Sequence, residues 1–466
     1  MTDPTPQRPS PLNRRQFFAV GGSLAAAGVL AACGSDTGRT AASSPGAAAS
    51  TGSTSTATGS SSAAVSASSV SGGPSSSAGG AKPTLQQWYH QYGEEGTKAA
   101  VEKYAAAYPD ATVKVGWFPG DYDSKLASAL LTADAPDVFE AGNGPSIDAI
   151  QGGLVEPLDD LLGDAKSDFN QALISRMSYQ DKLYAIPQVI DMQLLVYRKS
   201  LLDAAGVKPP TTFDELAAAA KALTDGDQKG LFVGNDGGVG ILTGPTLWSV
   251  GADYLTDDDK VGFTDPSVAT AFGKLHELFA SDSLLLGAPS DWFSADAINT
   301  GLTAMQFTGL WTFPDLIKEL GDDFGVLPWP KFSADGAGAP SVPIGAFGSA
   351  VSAKGKNVDA AKAFVKYLWV DNAADQVDFA QSYGFHFPAR ESLADQATKL
   401  KEGTAAEAVK ILQEYSHAQS PLLWTPASAT ALSDAVTKII KNGADPASTL
   451  AGVVSKVKAE LKRVVK

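Results

Sequence analysis

The residues best suited to chemistry in this chain are carboxylates, amides and rings that lie next to its apolar segments. His90 and Tyr92 come directly after one predicted strand, and Glu140 and Asn143 follow another. Asp191 immediately precedes a further strand. In open α/β sheets, ligands bind outside the carboxyl ends of the strands, because loops and helix N-termini converge there. The pattern therefore predicts a site that binds a small polar molecule through hydrogen bonds.

Aromatic side chains in segments rich in glycine, proline and serine supply the second part of the predicted site. The tryptophans in such segments are Trp248, Trp292, Trp311 and Trp424. A flat ring can cover the apolar face of a pyranose, while carboxylates and amides bind its polar rim. Core packing is the competing interpretation for each of the four. For Trp117, in a predicted strand, and Trp369, on an apolar helix face, core packing is the prediction.

The sequence offers little for a metal or covalent mechanism. It contains no HExxH motif and no nucleophile elbow, and its only cysteine is Cys33. Asp225, Asp227 and Asp236 have part of the spacing of a calcium loop, but Lys229 stands where an oxygen ligand is needed. We therefore predict no metal site, no cofactor and no catalytic residue.

The elements that must position these residues alternate between strands and helices. Strands are predicted at 85–89, 113–118 and 137–140, with helices at 96–108 and 124–133 between them. This order predicts an α/β lobe around a mostly parallel sheet. Further predicted elements are a strand at 193–198, a helix at 213–223 with the capping-box spacing of Thr212 and Glu215, a helix from about 357, and helices at 432–440 and 448–464.

The first 32 residues have the features of an export signal. Arg14 and Arg15 precede an apolar run at 19–32, which is shorter than the ~20 residues that a membrane-spanning helix needs. The paired arginines are typical of twin-arginine (Tat) export, and the small residues before Cys33 predict removal of residues 1–32 and lipid attachment to its sulfur. We therefore expect an exported lipoprotein, anchored to the outer face of the cell membrane.

Composition separates a tether from a globular body. Residues 33–82 are almost entirely Ser, Gly, Ala and Thr after the cysteine, so they cannot bury enough apolar surface to fold, and we predict a disordered tether. The remaining roughly 380 residues exceed what one hydrophobic core usually serves, which favours two lobes. The formal net charge of −15 excludes a nucleic-acid partner, since no basic stripe opposes it.

Eight segments resemble, in the same order, landmarks of the extracellular solute-binding proteins of sugar-importing ABC transporters, of the maltose-binding type. The segments are 88–95, 135–143, 153–159, 181–187, 196–201 with 209–216, 309–311, 343–348 and 382–388. Together they cover nearly all of the chain from residue 84 onward.

This resemblance implies a two-lobed, periplasmic-binding-protein-like α/β fold of type II, with hinged lobes and a ligand cleft between them. Lobe 1 would comprise 83–190 with about 347–410, and lobe 2 would comprise 191–346 with about 411–466. The chain would cross between lobes near 189–191, near 342–347 and once more after Arg390. Family positions map onto His90, Tyr92, Asn143, Asp191, Trp311 and Trp424. Phe347 and Arg390 complete the predicted ligand-binding set, although Arg390 fits a lobe-to-lobe ion pair equally well.

The resemblance further implies a monomeric, non-enzymatic binding component that captures a mono- or oligosaccharide and delivers it to membrane permease subunits. Two alternatives stay open. A surface glycoside hydrolase would use two carboxylates, for which Glu140 and Asp191 are the candidates. The same fold could instead bind a non-sugar solute such as a polyamine, although the sequence reveals no cluster of carboxylates around an aromatic cage.

Overall fold

The computed structural model describes residues 81–383 and 385–465. The predicted signal segment, Cys33 and the predicted tether up to residue 80 lie outside the described residues. Within the described part of the chain, no helix combines the length and the apolar composition that crossing a membrane requires.

Strands and helices alternate along the described chain. The strands are β1 (Thr84–His90), β2 (Thr112–Phe118), β3 (Val138–Gly142), β4 (Ser178–Tyr179), β5 (Lys182–Leu183), β6 (Ile186–Pro187), β7 (Val189–Arg198), β8 (Lys229–Phe232), β9 (Thr303–Gly309), β10 (Phe324–Leu327), β11 (Val342–Gly345), β12 (Phe347–Val351), β13 (Phe387–Pro388) and β14 (Ser416–Ala418). The helices are α1 (Thr97–Ala107), α2 (Tyr122–Ala129), α3 (Ile147–Gln151), α4 (Asp159–Leu162), α5 (Gln171–Arg176), α6 (Lys199–Ala205), α7 (Phe213–Ala222), α8 (Thr243–Ser249), α9 (Pro266–Ala280), α10 (Asp296–Asn299), α11 (Phe313–Leu320), α12 (Val358–Lys366), α13 (Ala373–Ser382), α14 (Gly403–Tyr415), α15 (Pro426–Asn442) and α16 (Pro446–Val464).

The predicted order of the first five elements is confirmed by β1, α1, β2, α2 and β3. Helix α2 begins earlier than predicted because the Asp121 side chain caps it, accepting a hydrogen bond from the backbone N–H of Ser124 at 3.2 Å. It also ends earlier than predicted. The backbone N–H groups of Leu131 and Thr132 bond to carbonyls three residues back, which tightens the chain into a turn.

The predicted capping box at the start of α7 is confirmed. The Thr212 hydroxyl accepts from the backbone N–H of Glu215 at 3.3 Å, and the Glu215 carboxylate accepts from the backbone N–H of Thr212 at 3.2 Å. Two of the N–H groups that a helix start leaves unpaired are thereby satisfied.

The first sheet has the strand order β2-β1-β3-β12-β6. Strand β1 runs parallel to both β2 and β3, whereas β12 runs antiparallel to β3 and β6. The carboxyl ends of β1 and β3 consequently lie at the same edge of the sheet, where His90 and Glu140 come together.

The second sheet has the order β14-β11-β7-β9-β8, and β10 and β13 also pair with β7. Strand β7 is buried on both faces: Leu194 and Val196 pack in one hydrophobic cluster, and Leu195 packs in another. The prediction that Asp191 precedes this strand is wrong. Asp191 is paired with Gly345 inside the ladder of β7 and β11, because β7 begins at Val189.

The two sheets form the two lobes of a type II binding-protein fold. Only Gln188 separates β6 of the first sheet from β7 of the second, and only Ala346 separates β11 from β12. Strand β14, between α14 and α15, extends the second sheet beside β11. The space between the lobes is therefore bordered by strand ends and by these short connections.

Candidate functional site

A cavity of about 500 Å³ lies between the lobes. Its lining comes from the segment after β1, from β7, from the start of β12 and from the turn after β9. The lining residues are His90, Gln91, Tyr92, Gly93, Glu94, Gly120, Asp191, Phe293, Trp311, Phe347 and His386. Of the predicted ligand-binding residues, the structure thus brings five together around one space.

Glu140 lies behind one wall of this cavity and positions two of its residues. Its carboxylate accepts from the backbone N–H of His90 at 3.2 Å and lies 2.8 Å from His90 Nδ1, while the Tyr92 hydroxyl donates to it at 2.5 Å. Burial raises the pKa of Glu140, and the bonds from His90 and Tyr92 oppose that rise. Glu140 is 1% exposed and does not line the cavity.

Stacked rings form this first wall. The His90 ring lies 3.9 Å from the Phe347 ring at an interplanar angle of 15° and 4.0 Å from the Tyr92 ring. Phe347 reaches this position because it opens β12 directly opposite Gly142 at the end of β3. The wall therefore presents partly exposed aromatic surface on a support of paired strands.

Trp311 lies on the other side of the cavity and is held from two directions. It follows β9 within a short 3₁₀ turn, and its ring lies so close to Gly309 that a Cβ atom there would be 2.0 Å from the ring. Its Nε1 donates to the carbonyl oxygen of Phe293 at 2.9 Å, and Trp292 packs edge-on against it at 5.9 Å. Trp292 thus supports Trp311 without lining the cavity itself.

A buried histidine between two carboxylates completes the site. His386 Nδ1 lies 2.5 Å from Asp191 Oδ1, and its Nε2 lies 3.0 Å from Glu94 Oε1. Burial would lower the pKa of His386, but the two carboxylates outweigh it and raise the pKa to about 10. The imidazole is therefore protonated at neutral pH and donates from both nitrogens. Burial alone would raise the pKa of Glu94, but the hydrogen bond from His386, the charge of His386 and smaller contributions together lower it.

Asn143 and Arg390 lie outside this cavity. Asn143 adopts a positive φ of 56°, binds Gln419 through Nδ2 at 3.0 Å, and accepts from the backbone N–H of Ala346 at 3.2 Å. It therefore links the end of β3 to the short connection at Ala346 and to the segment after β14. Arg390 donates from Nε to Asp168 at 2.7 Å and from Nη1 to the carbonyl of Val370 at 2.7 Å.

The interaction of Arg390 matches neither of its predicted roles. Arg390 does not line the cavity, and its ion pair with Asp168 joins two segments that were both predicted to belong to lobe 1. The carboxylate instead fixes the start of the segment after β13, because Asp168 also accepts from the backbone and hydroxyl of Ser392.

Trp248 and Trp424 are core residues in this structure. Trp248 is 6% exposed, stacks on His417 at 4.0 Å and donates from Nε1 to Asp253 at 3.1 Å. Trp424 is 7% exposed and packs against Tyr254 at 5.0 Å. Trp424 also borders a second, larger cavity of about 770 Å³, and none of the described residues lines both cavities.

The sequence did not point to Glu94, Phe293 and His386, which line the cavity. Glu94 and His386 are 292 positions apart, and His386 and Asp191 are 195 apart, so no local spacing could indicate their contact. Glu94 and His386 do lie inside two of the eight segments that carry the resemblance. Those segments were the one signal that could have pointed to them.

No group of three or more His, Cys, Asp or Glu side chains suited to hold a metal ion occurs among residues 81–383 and 385–465. Asp236, the last position of the partial calcium-loop spacing, accepts from the backbone N–H groups of Gly238 at 2.9 Å and Gly240 at 2.7 Å. Its carboxylate therefore orders its own loop.

Comparison with known proteins yields relatives of moderate identity. A binding protein of Brucella abortus is 28% identical over 268 residues, which are 55% of this chain and 62% of the relative. The chain thus spans less than two thirds of that relative. The diacetylchitobiose binding protein DasA of Streptomyces coelicolor is 28% identical over 301 residues, 61% of this chain and 67% of DasA.

Solved structures share the fold over most of the chain. The GacH receptor of Streptomyces glaucescens, determined unliganded and with acarbose, matches with a TM-score of 0.69 and 25% identity. The match covers 82% of this chain and 99% of GacH. A family model described as bacterial extracellular solute-binding protein matches residues 88–369, more than half of the sequence. The protein therefore belongs to the family of bacterial extracellular solute-binding proteins.

Proposed function

We propose that this protein is the exported, lipid-anchored and monomeric binding component of an ABC importer, and that it captures a mono- or oligosaccharide for delivery to membrane permease subunits. The observation that carries the proposal is the cavity of about 500 Å³, which has aromatic rings on facing sides and carboxylates between them. The two lobes close on the ligand and remove water from it.

The composition of the cavity suits a sugar ring. Trp311 on one side and the Phe347 and His90 pair on the other supply flat surfaces for the C–H faces of a pyranose. Asp191 and Glu94 supply acceptors for its polar rim. The volume falls within the range of about 300–1,000 Å³ that is usual for small-molecule sites.

The named relatives support a saccharide as the cargo. DasA is named for diacetylchitobiose, and the GacH receptor was determined in complex with acarbose. Both resemble this chain across most of its globular body. We transfer to this chain only the class of ligand, because the residues that differ decide the individual sugar.

The arrangement of the carboxylates favours binding over hydrolysis. A glycoside hydrolase needs one carboxyl group as an acid and a second as a base or nucleophile across the scissile bond. Glu140 is buried, and both of its oxygens interact with the wall residues His90 and Tyr92. Asp191 is engaged by the protonated His386. Neither side chain is arranged as a free acid or base, so we propose that the protein is not an enzyme.

Export and anchoring are proposed from the sequence alone. Replacing both Arg14 and Arg15 by Lys should retain the protein inside the cell, because the paired arginines define the signal. Cys33→Ser should remove the lipid attachment site. Fractionation of cells into membrane and soluble parts checks both expectations, and a Cys33→Ser protein that stays in the membrane fraction would contradict the anchor.

A thermal-shift screen of the full chain tests the proposed cargo. A saccharide at about 100 times its dissociation constant should stabilise the folded state by about 2.7 kcal/mol. Chromatography of the same sugar after incubation should recover it unchanged. Recovery of cleaved product would support the hydrolase instead, and a shift with polyamines alone would contradict the proposed cargo.

A further inference from the structure

We propose that the cavity between the lobes selects a saccharide that carries a positively charged amino group over the neutral counterpart of the same sugar. The inference rests on the proposed function and adds the charge of the ligand to it. It follows from a count of the charged side chains that line the cavity and from the rings that surround them.

Negative charge exceeds positive charge in the cavity lining. Glu94 and Asp191 contribute two carboxylates, and the protonated His386 between them contributes one positive charge. Among the residues that the structure describes, the lining includes no lysine and no arginine. A third carboxyl group, Glu140, lies directly behind the wall formed by His90 and Tyr92.

This unbalanced charge affects which ligand is best accommodated when the lobes close. Each of the two carboxylates gives one oxygen to His386, and both line the cavity. Enclosing a neutral sugar would remove water from the remaining negative charge and would supply no positive group to balance that charge. An ammonium group on the sugar supplies the missing positive charge and forms charge-assisted hydrogen bonds with carboxylate oxygens.

The aromatic walls favour the same ligand. Trp311, Tyr92 and Phe347 all line the space that contains the carboxylates. The face of an aromatic ring attracts a cation, most strongly for tryptophan, and this attraction increases when water is excluded. The sequence did not show that carboxylates and aromatic rings line the same space, because Glu94, Asp191 and Trp311 come from distant segments.

Matched ligands test the inference. The β-1,4-linked disaccharides of glucosamine, N-acetylglucosamine and glucose differ at C2 as ammonium, acetamide and hydroxyl. The monosaccharide pairs glucosamine and glucose, galactosamine and galactose, and mannosamine and mannose extend the test to other stereochemistry. Titration calorimetry on the full chain should find, in at least one matched set, a preference of about tenfold for the amine at low salt. The preference should shrink at 0.5 M salt, because the Debye length then falls to between about 3 and 10 Å and salt weakens the attraction of the amine to the cavity.

Variants at two neighbouring glutamates provide the control. Glu94→Gln keeps an oxygen for the bond to His386 but removes one negative charge from the lining, so the preference for the amine should fall to about threefold or less. Glu95→Gln removes the same charge from an exposed neighbour that does not line the cavity, and the preference should persist.

The outcomes separate this inference from the proposed function. If neutral sugars bind as tightly as their amines, or if Glu94→Gln leaves the preference unchanged, the charge inference is overturned while the saccharide cargo stands. If no saccharide binds, or if only an acyclic amine such as spermidine does, both the cargo and the inference are overturned.

Discussion

The two cavities beside predicted ligand-binding tryptophans differ in what converges on them. The cavity at Trp311 measures about 500 Å³ and collects two carboxylates, a protonated histidine and stacked rings. The cavity at Trp424 is larger, about 770 Å³, and much of its lining is aliphatic, including Leu126 and Leu422. Because polar groups and rings converge at Trp311, we propose that cavity as the binding site in spite of its smaller volume.

The supports of the two tryptophans differ in the same way. Trp311 lies at the end of β9, where Gly309 leaves room for its ring and the carbonyl of Phe293 accepts from its Nε1. Trp424 lies just before α15 and packs against Tyr254 and Phe263. Trp311 is therefore presented to the space between the lobes, whereas Trp424 is part of the core of the second lobe.

The largest effect on stability should come from a substitution of Trp424. Trp424→Ala removes a buried ring from the core and should lower the free energy of unfolding by about 3–5 kcal/mol. Chemical denaturation measures this change. Ligand affinity of the folded variant should stay within about twofold of wild type, a free-energy change well below 1 kcal/mol. A large loss of affinity at unchanged stability would instead place Trp424 in the binding site.

The next largest effect on stability should come from the charged network of His386, Glu94 and Asp191 in the cavity at Trp311. His386→Gln removes the positive charge between Glu94 and Asp191 and should cost about 3 kcal/mol of stability at neutral pH, because a buried pair is broken. The pKa of His386 is about 10 in the folded protein, above the ordinary value of 6.5. Its stabilising contribution is therefore complete below about pH 6.5 and is lost as the pH rises through 10.

Unfolding measured from pH 6 to pH 10.5 checks both the size and the sign of this effect. The gap in stability between wild type and His386→Gln should be largest near pH 6–7 and should narrow towards pH 10.5. A gap that widens with rising pH would show that His386 is neutral in the folded protein.

Trp311→Ala should weaken saccharide binding by at least about tenfold, which corresponds to about 1.4 kcal/mol, because the stacking surface is lost. Trp311 is only partly buried, so the free energy of unfolding should fall by less than in Trp424→Ala. Titration calorimetry and denaturation of the two variants side by side measure the contrast. Unchanged affinity in Trp311→Ala would remove this residue from the site.

The smallest expected effect comes from the support of Trp311. A Cβ atom at residue 309 would lie 2.0 Å from the ring, so Gly309→Ala must displace Trp311 and should weaken binding by about threefold, or ~0.7 kcal/mol. Gly452→Ala is the matched control, since in the described structure the added Cβ meets nothing within 4 Å beyond its chain neighbours and the backbone of α16, and affinity should be unchanged. Equal affinities for both variants would contradict a fixed orientation of Trp311.

Much of the fold follows from local patterns in the sequence. The alternation of strand and helix from β1 to β3 and the cap of α7 were predicted because side-chain periodicity and end signals depend on near neighbours. The start of β7 was missed because the charged Asp191 interrupts its apolar run. The short strands β4, β5 and β14 offer too few residues for any periodicity.

The site was predictable only in part, for a physical reason. His90 and Tyr92 follow a strand, which local pattern reveals, but the contact of His386 with Glu94 depends on how distant segments fold together. Glycine and proline around Trp248 suggested an exposed loop. They instead belong to a short buried helix, α8, because small residues also permit close packing.

The most direct test of the central claim is a structure of the protein with a bound saccharide. We expect a sugar ring against Trp311, with its polar groups within hydrogen-bond distance of Asp191 or Glu94. A saccharide bound against Trp424 in the larger cavity, with the space at Trp311 unchanged, would contradict the account.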